Sequence, residues 1–190
     1  MGMIVSFSGV QSSGKTTLLK ACKELYSDRF EFVDEVTRLV KREFNVQINE
    51  GGTDLTQCLI TNKHIENLLR PREKEGVILD RCILDGYCYT GYLNLNDKVS
   101  DWVFEYTKNV FLNTISVYDY IFYTDPSDVE LVDDGERSTD VEFRNKMIEI
   151  FEFVIETHKD NLLKDKLIRL KGTVEERMEA IKLILCQQPT

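Results

Sequence analysis

Residues 9–16 read Gly9-Val10-Gln11-Ser12-Ser13-Gly14-Lys15-Thr16 and follow directly on the apolar run Met3-Ile4-Val5-Ser6-Phe7. The octapeptide fits the phosphate-binding pattern G-x-x-x-x-G-K-[ST] in full, a match that a chain of this length would show by chance on the order of once in a hundred. Leu18, Leu19, Cys22 and Leu25 then recur at helical spacing, so the pattern stands between a strand and a helix. Gly9 and Gly14 let the backbone turn its N–H groups, with those of Gln11, Ser12 and Ser13, around a β-phosphate at a helix N-terminus, where the helix dipole also favours an anion. Lys15 is expected to bridge the β- and γ-phosphates, Thr16 to set its hydroxyl on Mg²⁺, and Thr17 to reach the α-phosphate. The expected ligand is a nucleoside triphosphate, with ATP as donor and Mg²⁺ as its metal.

Apolar β-type runs alternate with helical stretches along the whole chain, a pattern that predicts a parallel sheet covered by helices on both faces. The expected strands are Met3 to Phe7, Phe30 to Asp34, Val77 to Asp80, Tyr120 to Thr124 and Leu167 to Leu170. Helices are expected at about 15–26, 35–44, 54–70, 83–93, 99–114, 140–159 and 174–186. By analogy with phosphate-loop proteins of this size, the fold expected is a three-layer α/β P-loop fold with five parallel strands in the order 2-3-1-4-5. Three segments break the pattern and are candidate working loops: 45–53, 94–98 and 126–139, the last of which opens a lid at about 126–144.

The 190 residues, 42% of them hydrophobic, suffice for one well-buried core, so a single domain over 1–190 is expected. A net charge of −9 argues against a nucleic-acid partner, since such proteins normally present excess Lys and Arg to phosphates. Five cysteines without C-x-x-C spacing read as reduced thiols of a cytoplasmic protein, and no apolar run approaches a membrane span. Met1-Gly2 with Ser6 fits a lipidation pattern nominally, but residues 3–7 are needed as the buried first strand.

Asp80 ends the apolar strand Val77-Ile78-Leu79, and strand carboxyl ends face the ligand crevice in such sheets, which makes it the candidate Mg²⁺ carboxylate. Arg81 follows at once and is suited to clamp a phosphate bidentately. Glu35, at the tip of the second strand, is the candidate that accepts or orients an acceptor hydroxyl, with Arg38 one helical turn later on the same face. A surface ion pair between those two is the structural alternative. Arg137, in Asp133-Asp134-Gly135-Glu136-Arg137, fits a lid arginine that closes over the transferring group, with Arg144 on the following helix as its support. Asp85, Tyr89 and Tyr92 share a helix face able to meet a base or sugar, although at least one of Tyr87, Tyr89 and Tyr92 belongs to the core. His64 and His158 lack ligand spacing and read as surface or satisfied core residues. Gly172, in the Lys171-Gly172-Thr173 turn after the last strand, is placed to lie against an adenine ring. Trp102, Phe104 and Val110 suggest an apolar helix face for a homodimer.

Taken in order, GVQSSGKTT, DEVTR, ILDRCILDGYCYTGYL, DDGERSTDVEFR and LKGTVEER resemble the nucleoside and nucleotide kinase branch of phosphate-loop proteins. The pattern is most similar to the NadR-like kinase domain that acts on nicotinamide riboside, and more loosely to thymidylate kinase, whose Arg-Glu-Pro motif is replaced here by Val33-Asp34-Glu35-Val36. The resemblance implies that Glu35 contacts the acceptor, that Asp80 and Arg81 serve metal and phosphate, and that Arg137 and Arg144 belong to the lid. No adenylyltransferase segment stands beside it, so a kinase alone is expected. A regulatory GTPase is the main competing reading, yet no D-x-x-G occurs and Asn62-Lys63-His64-Ile65 lacks the base-reading carboxylate. A motor ATPase fits the size poorly, and a kinase acting on a nucleic-acid base or end would need a local basic groove.

Overall fold

A computed structural model describes residues 2–71, 73–128 and 141–186. Five strands, β1 (Met3–Ser8), β2 (Phe30–Val33), β3 (Gly76–Asp80), β4 (Tyr120–Thr124) and β5 (Leu167–Leu170), form one parallel sheet in the order β2-β3-β1-β4-β5. The seven helices among the described residues are α1 (Lys15–Tyr26), α2 (Val36–Phe44), α3 (Asp54–Leu69), α4 (Ile83–Leu95), α5 (Asp101–Thr114), α6 (Val141–His158) and α7 (Val174–Leu185). The expected strand order and every expected element are present, with ends shifted by a residue or two. Short single-turn 3₁₀ segments at Asn49–Gly51 and Pro126–Asp128 add local order to two of the expected loops.

Alternation along the strands builds two cores. Ile4, Val77, Leu79, Ile121 and Tyr123 face α4, α5 and α6, while Val5, Phe7, Ile78, Phe122 and Leu170 face α1 and α7. Side chains on both faces are buried, which explains why β1, β3 and β4 read as unbroken apolar runs instead of alternating ones. The register pairs Phe7 with Asp80, Leu79 with Val33, Tyr123 with Ser8 and Leu170 with Thr124. All five carboxyl ends therefore open at one edge, with β1 central, and the residues just beyond them converge there.

Caps fix the helices that matter for that edge. Thr173 accepts from the Glu176 N–H while Glu176 accepts from the Thr173 N–H, and Asp85 takes the Cys82 N–H at the start of α4. On α5, Phe104 stacks on Tyr87 with ring centroids 5.6 Å apart and Val110 packs on the core, so of the expected dimer face Trp102 alone stands clearly exposed, at 62%. No helix among the described residues is long and apolar enough to cross a membrane. All five cysteines are free.

Candidate functional site

The loop between β1 and α1 is built around backbone geometry that side chains would obstruct. Gly9 has φ +134°, and a Cβ there would come within 2.8 Å of the Thr124 hydroxyl oxygen; Gly14 caps α1 in the left-handed region at φ 88°. Ser13 holds the loop closed, its hydroxyl 2.9 Å from the Val10 carbonyl and 2.5 Å from the Thr124 hydroxyl. Lys15 lies inside this loop, 5% exposed, and its Nζ donates to the Gly9 and Val10 carbonyls at 2.8 and 2.5 Å. Burial, reinforced by the nearby Arg81 cation, lowers its pKa to about 7. A triphosphate on this loop would restore the charge. Binding of Mg-ATP at pH 8 is therefore expected to take up close to one proton and at pH 6 almost none, with affinity falling by up to about tenfold per pH unit above 7. Calorimetry in two buffers of different ionisation enthalpy reads this directly, and a heat independent of buffer at pH 8 would count against it.

Across the crevice, Arg81 joins β3 to α4 with φ +75°, a conformation that costs a non-glycine residue about 1–3 kcal/mol. Its surroundings hold it there. The backbone N–H donates to the Phe7 carbonyl at 2.9 Å, Nε to Glu35 Oε1 at 2.7 Å, Nη1 to Asp85 Oδ1 at 3.0 Å, and the guanidinium lies over the Tyr89 ring at 5.3 Å. Glu35, the N-cap residue of α2, also meets Arg38 Nε at 3.0 Å. Burial alone would raise the Glu35 carboxyl, but the charge and hydrogen bond of Arg81, with Arg38 and Lys15 behind them, pull it to about 2. The Glu35–Arg38 ion pair given as the alternative is thus present, and Arg81 makes it part of the crevice wall instead of a free surface bridge. Asp80 lines the same crevice with Thr16. Burial first, and the Glu35 charge second, raise its pKa to about 6.

Asp85, expected at the substrate, is 2% exposed and its carboxylate is taken up by donors of the chain itself. Oδ1 accepts from the Gly9 N–H at 3.2 Å as well as from Arg81, and Oδ2 from the Cys82 N–H at 3.1 Å. It ties the phosphate loop to the Arg81 corner. Asp85→Asn, which leaves Arg81 with one ionic partner fewer in a buried setting, is expected to cost about 3 kcal/mol and to lower the melting temperature by about 6–12 °C. An unchanged melting curve would remove it from that role. Of the three tyrosines, Tyr87 stacks on Phe111 and Tyr92 sets its edge on Phe143, while Tyr89 points its hydroxyl to Gln11 Oε1 at 3.1 Å and so reaches the loop.

At the other side of β1, Arg144 donates to the Pro126 carbonyl at 3.1 Å, and Arg137 lies outside the described residues. The Gly172 turn is wired to the phosphate loop by a residue that sequence reading passed over. Arg177, 2% exposed, donates to the carbonyls of Gly172, Ser13 and Asp125 at 3.0–3.1 Å. The available signal was an arginine on the buried stripe of α7 beside Met178, Ile181 and Leu185. Asp125, directly after β4, accepts from the Ser127 N–H at 3.0 Å and faces Arg169 and Lys171.

A narrow slot of about 20 Å³, room for about one water or one small polar group, opens behind Arg81 between α2, α3 and α4. Thr37, Asn49, Gln57 and His64 line it. His64 is 2% exposed, and burial pushes its pKa down to about 4 against the pull of Asp85, so the ring is neutral at physiological pH. Sequence reading missed this set because three separate elements bring it together. Asn49 and Arg81 also line a larger cleft of about 670 Å³ that includes Gln11, Thr16, Glu35, Arg38 and Asp80.

Fold and site together define a phosphate-loop (P-loop) protein. The family described as AAA domain (AAA_28) matches residues 4–177, and the chain belongs to it. Two curated relatives are thymidylate kinases. That of Mycoplasma pneumoniae (strain ATCC 29342 / M129 / Subtype 1) is 27% identical over 105 residues, 48% of this chain and 50% of the relative. That of Bacillus velezensis (strain DSM 23117 / BGSC 10A6 / LMG 26770 / FZB42) is 24% identical over 105 residues with the same shares. The chain spans about half the length of these relatives. Among solved structures, NadR protein in complex with NR matches with a TM-score of 0.72 at 23% identity, covering 96% of this chain and 50% of that one. A deoxyadenosine kinase from M. mycoides with dCMP and dCDP matches with a TM-score of 0.67 at 14% identity, covering 98% and 100%. These likenesses concern the fold.

Proposed function

We propose that this chain is an ATP- and Mg²⁺-dependent kinase that transfers the γ-phosphoryl group to an oxygen of a nucleoside, a nucleoside monophosphate or a related small molecule. The observation that carries the reading is the placement of Glu35, gripped by Arg81 and Arg38, in one crevice with Thr16 of the phosphate loop. A hydrolytic motor has to position water, whereas a carboxylate on the far wall of a cleft of this size suits an acceptor hydroxyl. The kinases among the relatives and fold neighbours support the same choice. On this reading the 190 residues form one phosphotransferase unit, with the lid within about 126–144.

Lys15 would leave its carbonyl partners for the β,γ-oxygens and regain its proton. Glu35, too acidic to draw a proton strongly, would hold the acceptor hydroxyl by hydrogen bond and orient its lone pair toward phosphorus; a loose transition state asks little more of a base. Arg81 sits between Glu35 and the loop carbonyl of Gly9, 3.3 Å away, and can pass from one anion to another as charge moves to the equatorial oxygens. Thr16 and Asp80 fit Mg²⁺, for Asp80 is a largely buried carboxyl with no side-chain hydrogen bond among the described residues, and one carboxylate with phosphate oxygens is a usual magnesium set. When bound there, the ion would neutralise charge on the β- and γ-oxygens. Arg137 would close over the transferring group, with Arg144 as its support; Arg137→Ala is expected to lower turnover by about a hundredfold or more while changing the KM for ATP only slightly.

The test is a phosphotransfer screen of nucleosides, nucleoside monophosphates, nicotinamide riboside and oligonucleotides with ATP and GTP as donors. Transfer to at least one class supports the proposal. Tight nucleotide binding with transfer to none would favour the second reading, a nucleotide-binding or ATPase module, which the family's AAA description supports.

A further inference from the structure

The cleft in front of Glu35 runs outward between α1 and α2, and its wall is cationic although the chain carries a net charge of −9. Lys20 and Lys23 project from α1, and Arg38, Lys41 and Arg42 from α2, with Arg81 at the inner end. The carboxylates in the same wall are Asp34, Glu35 and Asp80. Glu35 is already taken by Arg81 and Arg38, which leaves Asp34 and Asp80 as the remaining carboxylates. Lys20, Lys23, Lys41 and Arg42 are exposed and make no ion pair among the described residues. With only Asp34 and Asp80 beside them in this wall, the four cations on two helices leave an excess of positive charge in the cleft that draws anions into it.

Position says which part of a ligand this charge would meet. Glu35 holds the N-cap position of α2, Arg38 and Arg42 return to its face at i+3 and i+7, roughly 10 Å along the axis for Arg42, and Lys41 beside them also lines the cleft. Their long side chains, reaching back along the cleft, would meet a group about one sugar's width beyond a hydroxyl held at Glu35. The β- and γ-phosphates of a donor would be held on the far wall, by Lys15 and the loop amides. Charge at Lys20, Lys23, Lys41 and Arg42 therefore has no work to do for a neutral acceptor.

Resting on the kinase reading above, we propose that the acceptor is a hydroxyl compound that already bears a phosphoester, with its hydroxyl at Glu35 and its phosphate in the Lys20–Lys23–Lys41–Arg42 cleft. Such a ligand is a nucleoside 3′-phosphate or a longer chain with the same linkage. Phe32, half-buried in this wall, offers a ring against which a base or sugar would pack. The cleft volume of about 670 Å³ accommodates a mononucleotide-sized ligand. In the transfer itself, the acceptor oxygen forms a bond to the γ-phosphorus, the bond from that phosphorus to the β,γ-bridging oxygen breaks, ADP leaves, and the hydroxyl proton passes to solvent.

The experiment compares matched acceptors with the full chain and Mg-ATP: each common nucleoside, its 3′-monophosphate, and the dinucleoside monophosphate with a free 5′-hydroxyl. The expected result is kcat/KM at least tenfold higher for the phosphate-bearing member of a pair, with the preference collapsing to about one in the quadruple variant K20A/K23A/K41A/R42A while the KM for ATP is unchanged. Similar values for 3′-monophosphate and dinucleotide would identify a mononucleotide acceptor, and a rise with chain length the end of a nucleic acid. A nucleoside used as well as its 3′-phosphate, or a preference that survives the quadruple variant, would overturn the proposal and leave the kinase reading standing. A separate arm titrates the nucleoside 3′-monophosphates into protein saturated with Mg-AMP-PNP. Binding that the quadruple variant loses, without transfer in any pair, would keep the cleft and sink the kinase reading; absence of such binding would sink the cleft.

Discussion

Lys15→Ala is expected to reduce phosphoryl transfer by about a thousandfold or more while leaving the fold in place. The reason lies in what this lysine does in each state. In the free protein it is buried with a pKa lowered to about 7, hydrogen-bonded to carbonyls of its own loop, so at neutral pH its charge is only half present. Removing it leaves those loop acceptors without a donor but also removes a desolvated cation beside Arg81, two effects of opposite sign and similar size. Its melting temperature is expected within about 5 °C of the wild type, since about 1 kcal/mol shifts a chain of this size by only a few degrees. With triphosphate bound, the same residue would supply a full charge at the oxygens where negative charge builds up. Initial-rate assays with thermal melts check both halves. An active variant would remove Lys15 from the reaction, and an unfolded one would show that the loop depends on it structurally.

Glu35→Gln is the second large effect. The amide keeps the size and one acceptor oxygen for Arg81, but it loses the charge that Arg81 and Arg38 share. Transfer is expected to fall by about a hundred- to ten-thousandfold, with the affinity for Mg-ATP changed less than about threefold. Because the Glu35 carboxyl already titrates at about 2, the wild-type rate should show no loss from this group between pH 5 and 8. A wild-type rate in the variant would take Glu35 out of acceptor positioning. An equal loss of ATP affinity and turnover would instead make it a support for the phosphate loop through Arg81.

Much of this architecture could be read from order and pattern, because its cues are local. The octapeptide at Gly9 to Thr16, the double-sided apolar runs of β1, β3 and β4, and the position of Asp80 at a strand end each follow from a few neighbouring residues. Glu35 and Arg81 were legible for the same reason, as tips of strands whose carboxyl ends share one edge. Asp85 was harder: the helix face it shares with Tyr89 and Tyr92 suited a substrate contact, and only its closeness to the Gly9 amide, 76 residues away in sequence, made it an internal strut. Arg177 and Gln57 could not be placed, and His64 only as a surface or core residue, since their partners come from loops and helices distant in the chain. The cationic cleft was hidden by averaging, because a net charge of −9 conceals Lys20, Lys23, Lys41 and Arg42 gathered on two helices.

The central claim, transfer to an acceptor held at Glu35 instead of hydrolysis, is tested most directly by product stoichiometry. Mg-ATP labelled in the γ-phosphate is incubated with the full chain, with and without the acceptor panel, and ADP, inorganic phosphate and phosphorylated acceptor are counted. The kinase account predicts ADP formation that depends on acceptor, with one phosphorylated acceptor per ADP and little free phosphate. ADP and inorganic phosphate released in equal amounts at a rate indifferent to every acceptor would contradict it and mark the chain as an ATPase.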